Sequence, residues 1–427
     1  MGMFDIILKL KGYNLKRAEN FLKDSSNLMI GNRTKIIEYH RKHNPLYKQI
    51  VGAKQIVNFE DLPIVTKRDF QSPLCEIISD EYKLKDLYVA NTSGSSGHPF
   101  YYVKNKDAHA VTHAIIRRLY AQHGILPGMK QARFYGIPVG GMAYYKEKLK
   151  DLISNRVRFP IFDLSDEHFE KYLQIFKEER FDYVYGYTSA IVLFAKFLHK
   201  KTILLRKECP SLKLCIVTSE VCTPEDKFII ERAFGVKVVN EYGCSEAGLI
   251  AFDDVNGNWR IVEGENYFEV VDANGKVLPY GNEGRILITS LTNKAMPIIR
   301  YEVGDIGIID KTDDGLFLRK LSGRVSDVIK LPSGRIAGGL TFYYVSRSIL
   351  EKNNFVREFI VRQTKIDTFV FDIVATRDLT MSDIALLQSQ LDLYLEPGLK
   401  LEVNRVDQIF RPASGKIKHF YSELNNN

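Results

Sequence analysis

The chain has one tryptophan, Trp259, and five cysteines (Cys75, Cys209, Cys215, Cys222 and Cys244) with no Cys-x-x-Cys pair among them. An odd, scattered cysteine set argues for a reducing compartment and against a structural zinc site. No segment reaches the roughly 18 consecutive apolar residues of a membrane span. The opening "MGMFDIILKLKGYN" is broken by an acid and lysines, so it lacks a secretory leader's apolar core. These absences predict a cytoplasmic protein without a membrane span. Lysine and arginine outnumber aspartate and glutamate 60 to 52, a net charge of +8, yet no dense basic tract occurs. The spread argues against a nucleic-acid partner and for a solvated surface with some attraction for anions.

What is present is ordinary globular material: 427 residues, 45% hydrophobic and 26% charged, with a mean hydropathy of −0.17. That length supports more than one core. The first sixty residues carry helical spacing, as in "RTKIIEYHRKHNPLYKQI". In "LPIVTKRDF", Thr66 followed by Asp69 reads as a helix start. From residue 108 to residue 218 helices alternate with short apolar strands. "AHAVTHAIIRRLYAQHG", "DEHFEKYLQIFKEERF" and the capped "TSAIVLFAKFLHKK" are helices, and "ARFYGIP", "DYVYGY" and "LKLCIVTSE" are strands. This rhythm predicts an α/β layered domain with a largely parallel sheet. From residue 259 to residue 320 short strands and turns predict a β-rich subdomain. The last hundred residues read β-β-α-β-β-α-β, a small α+β unit with a hairpin at Pro332-Ser333-Gly334. The boundary is set at residues 1–322 and 323–427.

Five stretches carry candidate chemistry. "NTSGSSGHPF" (Asn91 to Phe100) packs hydroxyls and glycines after the apolar "LYVA", and its N–H groups and hydroxyls suit an anion such as phosphate. It has no Walker lysine. "VTSEVC" (Val217 to Cys222) ends a strand with polar residues, where open α/β sheets bind ligands. "NEYGCSEAG" (Asn240 to Gly248) presents Tyr242, Gly243, Ser245 and Glu246 after an apolar strand. "IIRYEVGD" places Asp305 after a strand, and "RPASGKIK" places Lys416 in a Ser-Gly-Lys turn.

Taken in order, these stretches resemble the adenylate-forming (ANL) superfamily of acyl-CoA synthetases and peptide-synthetase adenylation domains. "TSGSSGHP" is similar to its phosphate loop, "EYGCSE" to its Tyr-Gly-x-Thr/Ser-Glu motif, and "RYEVGD" to its Tyr-x-x-Gly-Asp motif. "SGRVSDVIK" resembles its hinge, and "SGK" its terminal lysine motif. "LPIVTKRDF" and "FYGIPVGGM" are similar to the phenylacetate–CoA ligase branch, which includes CapK-like members in capsular polysaccharide synthesis. The resemblance spans roughly residues 60 to 420. It implies a large N-terminal adenylate-forming domain and a small mobile C-terminal domain bearing the lysine.

The resemblance also implies the chemistry: ATP-dependent activation of a small-molecule carboxylic acid to an acyl-adenylate, then acyl transfer to an acceptor. Thr92, Ser93, Gly94, Ser95, Ser96 and Gly97 would hold the outgoing phosphates, and Glu246 would hold Mg²⁺. Ser219, Glu220, Tyr242, Gly243 and Ser245 would line the nucleotide. Asp305 would accept the ribose hydroxyl protons, with Arg324 nearby, and Lys416 would supply the cation missing from the loop. The acceptor is expected to be CoA, with an amine, sugar or amino acid as the alternative. An inactive nucleotide-binding or assembly protein is the reading from another class, and a homodimer is compatible with the sequence. Ser326 stands where the hinge usually has aspartate, and His98 where the branch often has lysine. "LIAFDDVNGNW" contains no cysteine or histidine, so no zinc is expected there.

Overall fold

The computed structural model describes residues 3–24, 29–52, 58–70, 72–92, 100–136, 141–161, 164–324, 328–334, 336–338, 342, 345, 355–409 and 420–424. The chain forms two compact units. One comprises Met1–Gly281, Leu287–Val303 and Ile309–Arg319, and the other Asn282–Ile286, Gly304–Ile308 and Lys320–Asn427.

The first unit opens with helices α1 (Met3–Leu10), α2 (Leu15–Asp24), α3 (Met29–His43) and α4 (Pro45–Val51). The start of α4 follows from local chemistry: Asn44 accepts the Tyr47 N–H at 2.8 Å, and Pro45 occupies the first turn, where no N–H is needed. Thr66 and Asp69 do pair, the Thr66 hydroxyl donating to Asp69 at 2.8 Å, but they close only the single 3₁₀ turn Lys67–Phe70. The short helix α5 (Leu74–Ile77) leads to a hairpin of β1 (Tyr88–Thr92) and β2 (Phe100–Lys104), whose connection is the Ser/Gly-rich stretch.

After α6 (Lys106–Gln122) the α/β rhythm takes over: β3 (Gln131–Phe134), α7 (Gly141–Ile153), β4 (Arg156–Phe159), α8 (Asp166–Glu178), β5 (Tyr183–Tyr187), α9 (Thr188–Lys200), α10 (Leu205–Glu208), β6 (Leu214–Thr218), α11 (Pro224–Phe234) and β7 (Lys237–Cys244). Then come β8 (Gly248–Asp253), β9 (Trp259–Ile261), β10 (Asn266–Val271), β11 (Glu283–Ser290), β12 (Tyr301–Thr312) and β13 (Gly315–Arg324). They join in one sheet, ordered β10-β11-β12-β13-β9-β8-β7-β6-β5-β3-β4. The β4-β3-β5-β6-β7 half is parallel, and β7-β8-β9-β13 is antiparallel. The predicted α/β layer and β-rich subdomain are therefore continuous.

Helix α11 has the boundaries its sequence dictates. Thr223 and Asp226 form a reciprocal capping box, Pro224 follows, and Gly235 closes the helix at φ +72°. Helix α9 differs from expectation: no side chain at its own cap position accepts a hydrogen bond, and Glu220 supplies the cap by accepting the Ser189 N–H at 2.7 Å. The core beneath is aromatic, with Phe134 and Phe159 stacked at 5.0 Å and Phe176, Phe181 and Phe194 around them. Gly186 of β5 sits hard against β3. A Cβ there would lie 2.6 Å from Phe134 Cβ and collide with the Phe134 carbonyl oxygen. Overpacking typically costs about 1–3 kcal/mol, and a backbone atom cannot swing aside. Gly186→Ala is accordingly expected to lower the urea midpoint read by circular dichroism; an unchanged midpoint would show that β3 and β5 can separate freely.

The second unit contains a hairpin of β14 (Val328–Lys330) and β15 (Ile336–Gly338), turned at Gly334 with φ +82°. Its sheet runs β18 (Lys400–Arg405), β17 (Thr368–Ala375), β16 (Val356–Lys365), β19 (Phe420–Ser422). Helix α12 (Met381–Tyr394) starts at a Thr380–Asp383 capping box. Phe342, Phe369, Phe371, Leu387, Leu391 and Phe420 make its core. The first expected helix of this unit lies mostly outside the described residues, and β19, parallel to β16, adds a strand the sequence reading did not contain. Among the described residues no helix is long and apolar enough to cross a membrane.

Candidate functional site

Parallel α/β sheets gather ligands at the carboxyl ends of their strands. Here those ends bring together Tyr135 after β3, Tyr187 at the end of β5 and Ser219 after β6. The Tyr135 and Tyr187 rings lie 4.1 Å apart, and the Tyr135 hydroxyl is 3.3 Å from Ser219 Oγ. Arg133 spreads its guanidinium over Tyr135 at 4.4 Å and Tyr185 at 4.9 Å. The end of β3 with Tyr135 and the end of β5 with Tyr187 thus meet in one aromatic wall. Ser219 itself has φ +71°, a left-handed conformation disfavoured for any residue but glycine. Strain of this kind persists where the surrounding structure fixes it, often at a ligand-binding turn.

Beneath the wall lies Glu241, fully enclosed. It accepts hydrogen bonds from the Tyr120 hydroxyl at 2.8 Å and the Tyr185 hydroxyl at 2.9 Å. Burial pushes its carboxyl above the ordinary range, against the pull of those two hydroxyls. Its role is to pin the aromatic strands from below.

The second focus is Glu246, only 3% exposed. Tyr301 donates its hydroxyl to Glu246 Oε1 at 2.6 Å, and Lys67 Nζ stands 3.4 Å from the same oxygen. Lys67 comes from "LPIVTKRDF", Glu246 from "EYGCSEAG" and Tyr301 from "RYEVGD", so three separate motifs converge on one carboxylate. The backbone explains how. Val65 pairs with Tyr301 across a parallel bridge, with Val65 N–H to Arg300 O at 3.2 Å and Glu302 N–H to Val65 O at 2.9 Å. Arg300, buried and at φ +46°, donates to Leu62 O at 2.7 Å, to Glu60 O and to Glu269 at 3.1 Å. One guanidinium thus holds the Lys67 segment against the β-rich half.

Gly243 is required by close approach, since a Cβ would meet Gly248 O at 2.8 Å beside the bulge between β7 and β8. Tyr242 is half-buried with its ring 5.8 Å from that of Trp259, and Ser245 is exposed. The Cys244 thiol is pushed up by burial and then by the negative charge of Glu246, which favours its neutral form. Glu220 is committed to the start of α9, its side chain accepting the Ser189 N–H at 2.7 Å and its carbonyl the Thr188 hydroxyl at 3.3 Å. Asp305 is buried on β12, four residues beyond Tyr301. Thr92 ends β1 and Arg324 ends β13; their side chains, together with Ser93, Gly94, Ser95, Ser96, Gly97 and Lys416, lie outside the described residues. Sequence reasoning missed Lys67, Tyr301 and Arg133 as members of these clusters. Lys67 and Tyr301 sat inside quoted motifs, which was the available signal.

The fold is that of the adenylate-forming ligases. A 2-hydroxyisobutyryl-CoA ligase in its postadenylation state, bound to an acyl-AMP, superposes with a TM-score of 0.69 over 93% of this chain and 89% of its own, at 17% identity. An amide bond synthetase from Marinactinospora thermotolerans aligns with a TM-score of 0.55 over 78% and 67%, also at 17% identity. In sequence the chain is similar to protein CapK of Staphylococcus aureus, 24% identical over 81% of this chain and 77% of that one. It is also similar to the phenylacetate-coenzyme A ligase of Aromatoleum evansii, 27% identical over 65% of this chain and 63% of that one. No family model matches the chain. The resemblance to the ANL superfamily, in its phenylacetate–CoA ligase and CapK-like branch, is borne out by both kinds of relative.

Proposed function

We propose that the chain is an ATP-dependent, AMP-forming ligase that activates a carboxylic acid as its acyl-adenylate and then transfers the acyl group. The observation that carries this reading is the convergence of Lys67, Glu246 and Tyr301. A carboxylate oxygen attacks the α-phosphorus of ATP, the bond to the β-phosphate breaks, and pyrophosphate leaves. The acceptor then attacks the acyl carbon and AMP departs with the carboxylate oxygen. The first step concentrates negative charge on the phosphates, so it needs neutralisation more than covalent help.

Glu246 fits Mg²⁺. A lone carboxylate is normal for this ion, whose remaining positions are filled by substrate phosphates and water, and the ammonium of Lys67 at 3.4 Å marks a spot that already holds positive charge. Bound there, Mg²⁺ would hold polyphosphate oxygens and draw off their charge. The hydroxyl of Tyr301 fixes the carboxylate's orientation. Thr92, Ser93, Ser95 and Ser96, with the backbone of Gly94 and Gly97, grip the departing phosphates. Ser219, Glu220, Tyr242, Gly243 and Ser245 line the nucleotide, Asp305 binds the ribose with Arg324, and Lys416 acts in the first half-reaction only. The Tyr135–Tyr187 wall belongs to the acid's pocket.

Lys67 is given the phosphates as its second partner once the metal takes Glu246. Its side chain is 40% exposed but that of Glu246 only 2%, so removing the ammonium also takes a counter-charge from a buried carboxylate, and circular dichroism must show the variant folded. A charged contact to phosphate is worth about 1.5–3 kcal/mol. Lys67→Met is therefore expected to cut kcat/KM for ATP about tenfold or more while sparing the acid's KM. An effect on the acid alone would place Lys67 in the acyl pocket.

CoA is the proposed acceptor, supported by the relatives named as CoA ligases. The broader match to CapK favours a second reading, amide or ester formation on a sugar or amino acid in surface polysaccharide synthesis, in the cytoplasm. A panel of carboxylic acids assayed for ATP-dependent pyrophosphate release tests the first step, and addition of CoA or amines separates the two acceptors. Release that needs no acid would overturn the reading.

A further inference from the structure

Helix α7 turns an apolar stripe outward. Met142, Tyr145, Leu149 and Leu152 are 73%, 70%, 58% and 74% exposed, although spaced as a core-facing stripe would be. At 3.6 residues per turn they fall within an arc of roughly 80°. On the same scale Lys146 and Lys150 border the stripe on one side and Lys148 on the other, all three exposed. The helix's two acids point the opposite way. Asp151 accepts from Arg156 Nε at 2.5 Å and Arg158 Nε at 3.0 Å, and Glu147 accepts from Arg158 at 2.8 Å and Lys150 at 2.6 Å. Apart from the Lys150–Glu147 ion pair, apolar and cationic groups are what α7 leaves outward.

We propose that this face of α7 docks the protein reversibly on an anionic lipid surface. An apolar stripe bordered by lysines is what lies in a membrane interface, with the apolar side chains sunk about 5–10 Å and the ammonium groups reaching up to headgroup phosphates. A second copy of the chain fits less well, because lysines on the rims of two such stripes would face one another. The net charge of +8 favours the same partner. With four main anchors and one helix the attachment is weak and reversible. The strand end bearing Tyr135 and the start of α7 are separated by only residues 136–140, so docking would present that edge of the unit to the lipid.

Flotation of the full chain with phosphatidylcholine vesicles, with and without phosphatidylglycerol, tests this. Binding is expected only to the anionic vesicles, and released by high salt. Lys146→Gln with Lys148→Gln should weaken binding about 30-fold, at about fivefold per lysine, and Leu149→Asp with Leu152→Asp should abolish it. Both variants should keep the native circular dichroism and acid-dependent pyrophosphate release. Equal binding to neutral vesicles, binding unchanged in folded variants, or no vesicle binding with a dimer that the leucine variant splits would each overturn the proposal.

Discussion

Lys416→Ala is expected to slow acyl-adenylate formation by about 10²-fold or more, the scale of removing one donor aimed at developing charge. The reasoning is electrostatic. The Ser/Gly-rich stretch between β1 and β2, to which the proposal gives the phosphates, has hydroxyls but no lysine, so on that reading a cation reaches the α-phosphate from elsewhere in the sequence. Lys416, in its Ser-Gly-Lys turn, is the residue the reading gives that task. Once the adenylate exists, the leaving group is AMP and the need for that cation has passed. Transfer from a pre-formed acyl-adenylate should therefore be nearly unaffected, measured in single turnover with the acceptor. Equal loss in both half-reactions would contradict the assignment and point to a general folding defect.

Glu246→Gln carries the second large expectation. The substitution is nearly isosteric and keeps an oxygen to accept the Tyr301 hydroxyl, which lies at 2.6 Å in the native protein. What it removes is the charge that Lys67 faces at 3.4 Å. Adenylation should fall by about 10²-fold or more, and the Mg²⁺ concentration needed for half-maximal rate should rise, because the phosphates lose their anchored counter-ion. A fully active variant with unchanged Mg²⁺ dependence would remove Glu246 from the metal site. Circular dichroism separates this from instability, since a neutral amide in place of a buried carboxylate need not unfold the site.

Much of this architecture was legible because it is written locally. The Thr66–Asp69 pair, the aromatic strands of the parallel half and each quoted motif are all short-range patterns. The clusters were less so. Nothing near Lys67 in the sequence announces that it will share Glu246 with Tyr301; that meeting depends on Val65 pairing with Tyr301 and on Arg300 bridging Glu60, Leu62 and Glu269. The acceptor that caps α9 was not legible for the same reason, being Glu220, 31 residues from Ser189. The aromatic wall needed β3 and β5 to be neighbours, which periodicity does not specify. Strand β19 is three residues long and gains its identity only by lying parallel to β16.

The central claim is that the carboxylate of the acid becomes bonded to the α-phosphorus of ATP. Isotope transfer reads that bond directly. With an accepted acid whose carboxylate carries ¹⁸O, and with CoA or an amine as acceptor, one labelled oxygen should appear in AMP and none in pyrophosphate. Label in inorganic phosphate, with ADP as the nucleotide product, would mean activation at the γ-phosphorus and would contradict the account.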